Sequence, residues 1–223
     1  MKVLIVHAHP EPLSFCGALF ETAIETLEAA GHTVMTSDLY AMGFDPVSDR
    51  RNFHTQHHPT YLRLQQEERY AARRDSFTAE IDGEMAKLEE AELLILLFPL
   101  WWFGLPAILK GWVDRVFAMG RIYEEGQLYQ HGRFAKRRAL LCVTTGADEP
   151  AYQPEGLHGD IHAILRPIER GILQCVGYQV LAPALFHGPE GAELVVREHW
   201  LDEWAARLTT IERESPIEVG RYR

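Results

Sequence analysis

The stretch Leu96-Leu97-Phe98-Pro99-Leu100-Trp101-Trp102-Phe103-Gly104-Leu105-Pro106-Ala107-Ile108-Leu109-Lys110-Gly111-Trp112 decides the reading of the fold. Its first residues close an apolar run that starts at Leu93. The run is continuous rather than alternating, as in a strand covered on both faces. Pro106 suits the first turn of a helix. Between strand and helix stand Trp101, Trp102 and Phe103, three aromatics where a loop normally meets water. Such a loop needs a partner, either a flat apolar ligand or another protein surface.

The same strand-then-helix pattern extends in both directions. Lys2 to His7 reads as a buried strand ending in the Pro-rich turn His9-Pro10-Glu11-Pro12. Ser14 can cap a helix over Phe15 to Ala30, with Leu19, Ile24 and Leu27 at helical spacing and Gly31 as its stop. His32 to Asp38 is a second strand, and a helix over Ala79 to Ala91 leads into strand three, Leu93 to Phe98. A helix over Pro106 to Met119 follows, then strand four at Ala139 to Thr144. A helix over Gly159 to Leu173 and strand five at Tyr178 to Leu185 come next. A last helix, Ala192 to Ile211, places Leu194, Leu201, Trp204 and Leu208 on one side. Five alternations predict an α/β fold, a five-stranded parallel sheet with helices on both faces, in the flavodoxin-like order rather than the two-half Rossmann order. We expect one domain over residues 1–223. The polar segment Pro46 to Phe77, rich in Arg and His, is either a functional arm or a plain solvated insertion.

The 223 residues are 47% hydrophobic and 24% charged, with a net charge of -10. That balance fits a soluble globular chain and argues against a nucleic-acid surface, which needs a basic stripe. No signal-peptide pattern opens the chain, and its apolar runs are too short to span a membrane, so a cytoplasmic protein is expected. Cys16, Cys142 and Cys175 are isolated, with no CxxC among them. They suggest no disulfide framework, and Cys142 and Cys175 read as buried small hydrophobes.

In a doubly wound sheet, ligands bind beyond the carboxyl ends of the strands. That rule selects three loops. His7 to Cys16 lacks the glycine fingerprint of a dinucleotide turn and the Gly-Lys-Ser/Thr of a P-loop, but Ser14 and the helix start offer amides to a phosphate, with His9 as a further donor. Pro99 to Pro106 supplies a flat aromatic wall that suits a planar ring system. Thr144 to His158 sets small residues beside Tyr152 and His158, a pair that could share a proton relay. His158 and His162 stand four apart on a predicted helix, a spacing seen in metal sites, yet no third ligand lies nearby and no metal is expected.

Together these loops resemble the NAD(P)H:quinone oxidoreductase family, the DT-diaphorase type of flavodoxin-like enzyme. The likeness is carried by SDLYAMGFDPVSDR at Ser37 to Arg50, FPLWWFGLPAILKGWVDRVF at Phe98 to Phe117, and TTGADEPAY and GLHGDIHAILRPIERGIL within Thr144 to Leu173. The resemblance implies an enzyme that reduces quinones or similar acceptors by two electrons from NADH or NADPH. Hydride passes through flavin N5 in a ping-pong sequence. It implies FAD, with FMN as the second choice. It assigns His9, Ser14, Phe15 and Cys16 to the flavin phosphates and ribityl chain. Pro99, Leu100, Trp101, Trp102 and Phe103 are assigned to the ring, with Thr144, Thr145, Gly146 and Ala147. Arg197 falls at the adenine side. Tyr152 and His158 would stabilise charge on the reduced flavin, and Tyr123 would come from the other subunit of a homodimer. Cys16 stands where the animal enzymes have an Asn, Glu125 where they have a second pocket Tyr, and Cys175 where they have a pocket Phe. The zinc site of one branch is missing a ligand, since Arg170 replaces a His. The rival implied by other relatives is a flavin-binding regulatory subunit of a potassium efflux system, with a membrane transporter as its partner.

Overall fold

Runs of Val, Ile and Leu make the sheet, and their burial sets its place at the centre. In the computed structural model, which describes residues 1–221, β1 (Lys2–His7), β3 (Leu93–Pro99) and β4 (Arg138–Thr145) are almost wholly buried. Tyr222 and Arg223, the end of the expected 1–223 domain, lie outside the described residues. All pairings are parallel, in the order β2-β1-β3-β4-β5, with β2 at Thr33–Asp38 and β5 at Gln179–Val180. This is the flavodoxin-like order.

The expected fifth strand, Tyr178 to Leu185, is instead two pieces. β5 and β6 (Ala184–His187) both pair with β4 and are separated by Leu181 to Pro183. Pro183 has no N–H to give the ladder, so the strand breaks there and resumes one step nearer the carboxyl edge.

Side chains alternate across the sheet and divide the core in two. Val3, Ile5, Ile95 and Leu140 pack against Leu19 and Leu27 of α1 (Phe15–Ala29) and Trp204 and Leu208 of α6 (Leu194–Leu208). Leu4, Val6, Leu94, Leu96 and Leu141 pack against α3 (Ala79–Glu90), α4 (Ala107–Val116) and α5 (Ile161–Ile168) through Met85, Trp112 and Leu165. Leu194, expected on the apolar side of the last helix, is 63% exposed in its first turn. Pro106 caps α4 from outside rather than starting it, and that helix ends at Val116, short of Met119.

The expected helix over Gly159 to Leu173 also divides. Asp160 caps it by accepting from the His162 amide, so it begins at Ile161. Pro167 removes one amide from its interior, and a π-helical turn, Glu169–Leu173, follows. His158 therefore precedes the helix, and the four-residue spacing to His162 does not put them on one helical face.

The insertion is packed, not merely solvated. It carries α2 (Leu64–Ala72), and its ends meet in a bridge between Phe53 and Phe77, whose rings lie 5.6 Å apart. Buried Arg115 of α4 pins it by donating to Asn52 Oδ1 at 2.8 Å and to the Asp45 carbonyl at 2.5 Å. Gly111 lets it approach, because a Cβ there would sit 2.3 Å from Pro46. Among the described residues no helix is long and apolar enough to cross a membrane.

Candidate active site

The β1–α1 turn is held by its own polar groups. Ser14 Oγ accepts from the Gly17 amide at 3.1 Å, and Glu11 Oε1 accepts from the Leu13 amide at 2.9 Å. Nδ1 of His9 lies 3.0 Å from both the amide nitrogen and the carbonyl oxygen of Glu11, and the residue borders the cleft. A Cβ on Gly17 would come 1.9 Å from the Pro12 carbonyl oxygen, so the turn closes this tightly only because position 17 is glycine. The first amides of α1, those of Phe15 and Cys16, open onto the cleft as at any helix N terminus. The Phe15 ring packs edge-on against Phe186 and Trp200, at 5.7 and 5.8 Å.

The β3–α4 turn is different. Trp101 and Gly104 close a tight turn in which the Gly104 amide donates to the Trp101 carbonyl at 3.0 Å. Trp102 and Phe103 both have positive φ, 50° and 59°. Two successive left-handed residues define a mirror-image turn that normally calls for Asn or Gly, and bulky residues in that region cost about 1 to 3 kcal/mol each. The turn separates three aromatics that the sequence treats as one wall. Trp101 lines the cleft with its ring 6.4 Å from that of His9. Phe103 packs edge-on against His158 at 5.5 Å, and Trp102 is 98% exposed, away from both.

At the ends of β4 and β6, Cys16 Sγ lies 3.1 Å from Thr144 Oγ1, and burial pushes the Cys16 thiol up to about 11. The thiol is therefore protonated and unreactive at neutral pH. Thr145 Oγ1 donates to the Ala147 carbonyl at 2.7 Å and lies 3.1 Å from His187 Nδ1. With the hydroxyl proton committed, His187 Nδ1–H is the donor to Thr145 and Nε2 keeps its lone pair. Burial lowers the His187 pKa, against the opposing pull of Glu149 and Asp148, so the ring is neutral near pH 7. Buried Tyr152 packs between two imidazoles, 5.4 Å from His187 and 5.0 Å from His158. Ring packing, not a hydrogen bond, joins Tyr152 to His158, whose amide donates to the Ala151 carbonyl at 2.7 Å.

These turns enclose one cleft of about 580 Å³ at the carboxyl edge of the sheet. It is lined by His9, Ser14, Phe15, Cys16, Pro99, Leu100, Trp101, Thr144, Thr145, Gly146 and Arg197. Trp102, Phe103, Ala147, Tyr152 and His158 are not among its lining residues. Tyr123 borders a second cavity, where its hydroxyl accepts from Gln65 Nε2 at 3.1 Å. Arg170 stacks on Tyr129, 4.0 Å from the ring centre, and no cluster of potential metal ligands occurs among the described residues.

A model of the flavodoxin-like fold family matches residues 1–208. NAD(P)H dehydrogenase [quinone] 1 of Cavia porcellus is 42% identical over 97% of this chain and 79% of its own length. The chain belongs to the flavodoxin-like NAD(P)H quinone dehydrogenase family. Ribosyldihydronicotinamide dehydrogenase [quinone] of Homo sapiens is 41% identical, over 97% of this chain and 94% of that protein. The crystal structure of a candidate quinone reductase from Klebsiella pneumoniae superposes with a TM-score of 0.91 at 38% identity, covering 97% of this chain and 87% of that one. Within this family frame, the cleft also has lining residues that the three chosen loops omit. Pro189 and Glu190 border it, and His187 stands behind Thr145. The signal for them was the rule already in use. His187 ends the last strand, so the loop after it, His187-Gly188-Pro189-Glu190, is a fourth carboxyl-edge loop.

Proposed function

We propose that this chain is a flavin-dependent enzyme that uses NADH or NADPH to reduce quinones or similar acceptors by two electrons. The observation that carries this is the convergence of most of the expected cofactor contacts from three separate turns on one cleft, in a chain 42% identical to a quinone dehydrogenase along nearly its whole length. The regulatory-subunit reading gains no support from relatives that are named as dehydrogenases.

The cleft fits a flavin on its own chemistry. It joins a helix N terminus, suited to phosphate, to a wall of Pro99, Leu100 and Trp101, suited to a flat ring. No side chain crowds Gly146, where a Cβ would meet nothing within 4 Å, so the backbone there is open to a ligand. Arg197 at the far end offers a cation to the adenine-side half of the dinucleotide, which favours FAD over FMN. When bound, the flavin supplies the two-electron chemistry between nicotinamide and quinone. The chain's own part is to hold the phosphates at Ser14 and the α1 amides, to present the His9 ring, and to keep water from the ring system with Leu100 and Trp101. The Tyr152, His158 and His187 cluster lies beside Thr145 and would balance charge there.

We further propose a single domain acting as a homodimer in the cytoplasm, with Tyr123 of one protomer facing the cleft of its partner. Tyr123 lies with the second cavity rather than with its own chain's cleft, as such an arrangement requires. The test is direct. Purified protein should be yellow, release FAD on heating, bleach with NADH or NADPH and recolour with a quinone. Released FMN would remove the adenine role from Arg197. A protein that takes up neither flavin would sink the assignment.

A further inference from the structure

The second cavity holds a group that the reductase mechanism leaves unused. It measures about 540 Å³ and is mostly apolar, with Phe117, Leu128 and Ile172 among its walls and Gln65, Tyr123 and Glu68 as its polar groups. A concave, mostly apolar pocket with a few convergent polar groups is the usual form of a small-molecule site. Glu68 is only 4% exposed, and its one hydrogen bond is from the Met119 amide to Oε2, at 2.8 Å. Among the described residues no cation pairs with it. Arg69, next to it on α2, is paired with Glu124, and Lys110 on α4 is paired with Asp114 at 2.6 Å. The remaining titratable groups facing the cavity, Tyr123 and Cys175, are both held in their protonated forms by burial. Burial likewise pushes the Glu68 carboxyl up to about 7, offset in part by the Met119 amide. At neutral pH much of this carboxyl therefore keeps its proton and is a hydrogen-bond donor rather than an anion.

We propose that Glu68 is the acceptor-side hydrogen-bond donor of this cavity, and that it restricts the cavity to flat, uncharged ligands that present a carbonyl oxygen. The proposal deepens the reductase reading and rests on it in taking that ligand to be the quinone and this cavity to be the face that, with Tyr123, one protomer turns toward its partner's cleft. The O–H of Glu68 donates to the carbonyl beside the Tyr123 hydroxyl, while an anionic ligand meets a carboxyl that ionises as pH rises and repels it.

The test is equilibrium binding to the oxidised protein as purified, from about pH 6 to about pH 9, spanning the Glu68 titration. The probes are anthraquinone-2-sulfonamide, uncharged, and anthraquinone-2-sulfonate, anionic. Cys175 reports where they bind, because it borders this cavity and is half-buried while Cys16 and Cys142 are fully buried. Bound sulfonamide should slow its alkylation by iodoacetamide at about pH 9, where part of the thiol ionises and reacts. Sulfonamide affinity should fall about tenfold across that range, and the sulfonate should bind about tenfold more weakly than the sulfonamide near neutral pH, each equivalent to about 1.4 kcal/mol. Glu68→Gln, which keeps a donor and cannot ionise, should flatten the pH profile and bring the two ligands to within about twofold. A flat profile in the unsubstituted protein overturns the proposal without any variant, as does a ligand that leaves Cys175 alkylation unchanged. Quinone turnover by NAD(P)H, measured in parallel, keeps the two ideas apart. Its absence with the binding pattern intact overturns the reductase reading and supports the binding role of Glu68.

Discussion

The cleft and the second cavity are nearly equal in volume, about 580 and 540 Å³, and are built in opposite ways. The cleft is made by turns at the carboxyl edge of the sheet, and its polar groups are helix-end amides, hydroxyls and the side chains of His9, Glu190 and Arg197. The second cavity is made by side chains from α2, α4 and the segment after α5, and its one buried carboxyl has a single amide for a partner. Glu84 sharpens the contrast. It too is buried, but Ser37 Oγ and Trp112 Nε1 each donate to its Oε2 at 2.7 Å, and Lys87 pairs with Oε1. Glu84 is a satisfied structural group, whereas Glu68 faces open space with little to hold its charge. Topology alone yields the cleft in any chain with this strand order. The second cavity depends on the Pro46 to Phe77 insertion, which brings α2 over α4.

If the cleft depends on backbone closure, the largest effect should come from Gly17. Gly17→Val forces a Cβ into the Pro12 carbonyl and should cost about 3 kcal/mol and abolish flavin retention, read by urea denaturation and by absorbance after gel filtration. Retained flavin at unchanged stability would show that the turn is not the tight element of the cleft.

The second cavity predicts a pH effect next in size. Glu68 and Glu169 are both raised to about 7 by burial. A carboxyl raised in this way keeps its proton in the folded state where the unfolded chain has lost it. Its stabilising contribution is therefore complete below the ordinary carboxylate range, declines as pH rises, and is gone once pH passes about 7. For Glu68 the full decline is about 3 kcal/mol at most. Denaturation midpoints taken from about pH 4 to about pH 8 should fall, and Glu68→Gln should remove roughly half of that slope. An identical slope in the variant would mean that Glu68 does not carry the titration.

Two smaller changes return to the cleft. Ser14→Ala removes the helix cap and should lower stability by about 1 kcal/mol, with faster loss of flavin on dilution. Trp102→Asn replaces an exposed aromatic at φ 50° with a residue that tolerates this conformation, and should raise stability by about 1 kcal/mol or less. Lower stability would mean that Trp102 is packed in solution, as at a subunit contact.

Much of this could be read along the chain, and the failures are specific. β1, β3 and β4 were legible because a strand covered on both faces must be apolar throughout, a local property. The break at Pro183 was written in the sequence too, since proline lacks the ladder donor, but the expected strand Tyr178 to Leu185 runs across it. Helical spacing assigns Leu194 a face and not its burial, and the first turn of α6 leaves both Leu194 and Val195 exposed. The expected strand ends at Leu185, two residues short of His187, because Phe186 and His187 break the aliphatic run while the backbone continues the ladder.

The order of apolar runs, caps and turn residues determined the strand order, the location of the cleft and most of the side chains that line it, because these follow from short-range hydrogen bonding and periodic burial. Only the tertiary structure decided that Trp101, Trp102 and Phe103 point three ways, since that rests on two backbone angles held by a turn. It alone decided that Tyr152 meets His158 through ring packing, and that Glu68 lies buried without a cation while Glu84 is fully paired. A carboxyl's charge state depends on which groups the fold brings within a few ångströms, and those groups are far apart in sequence.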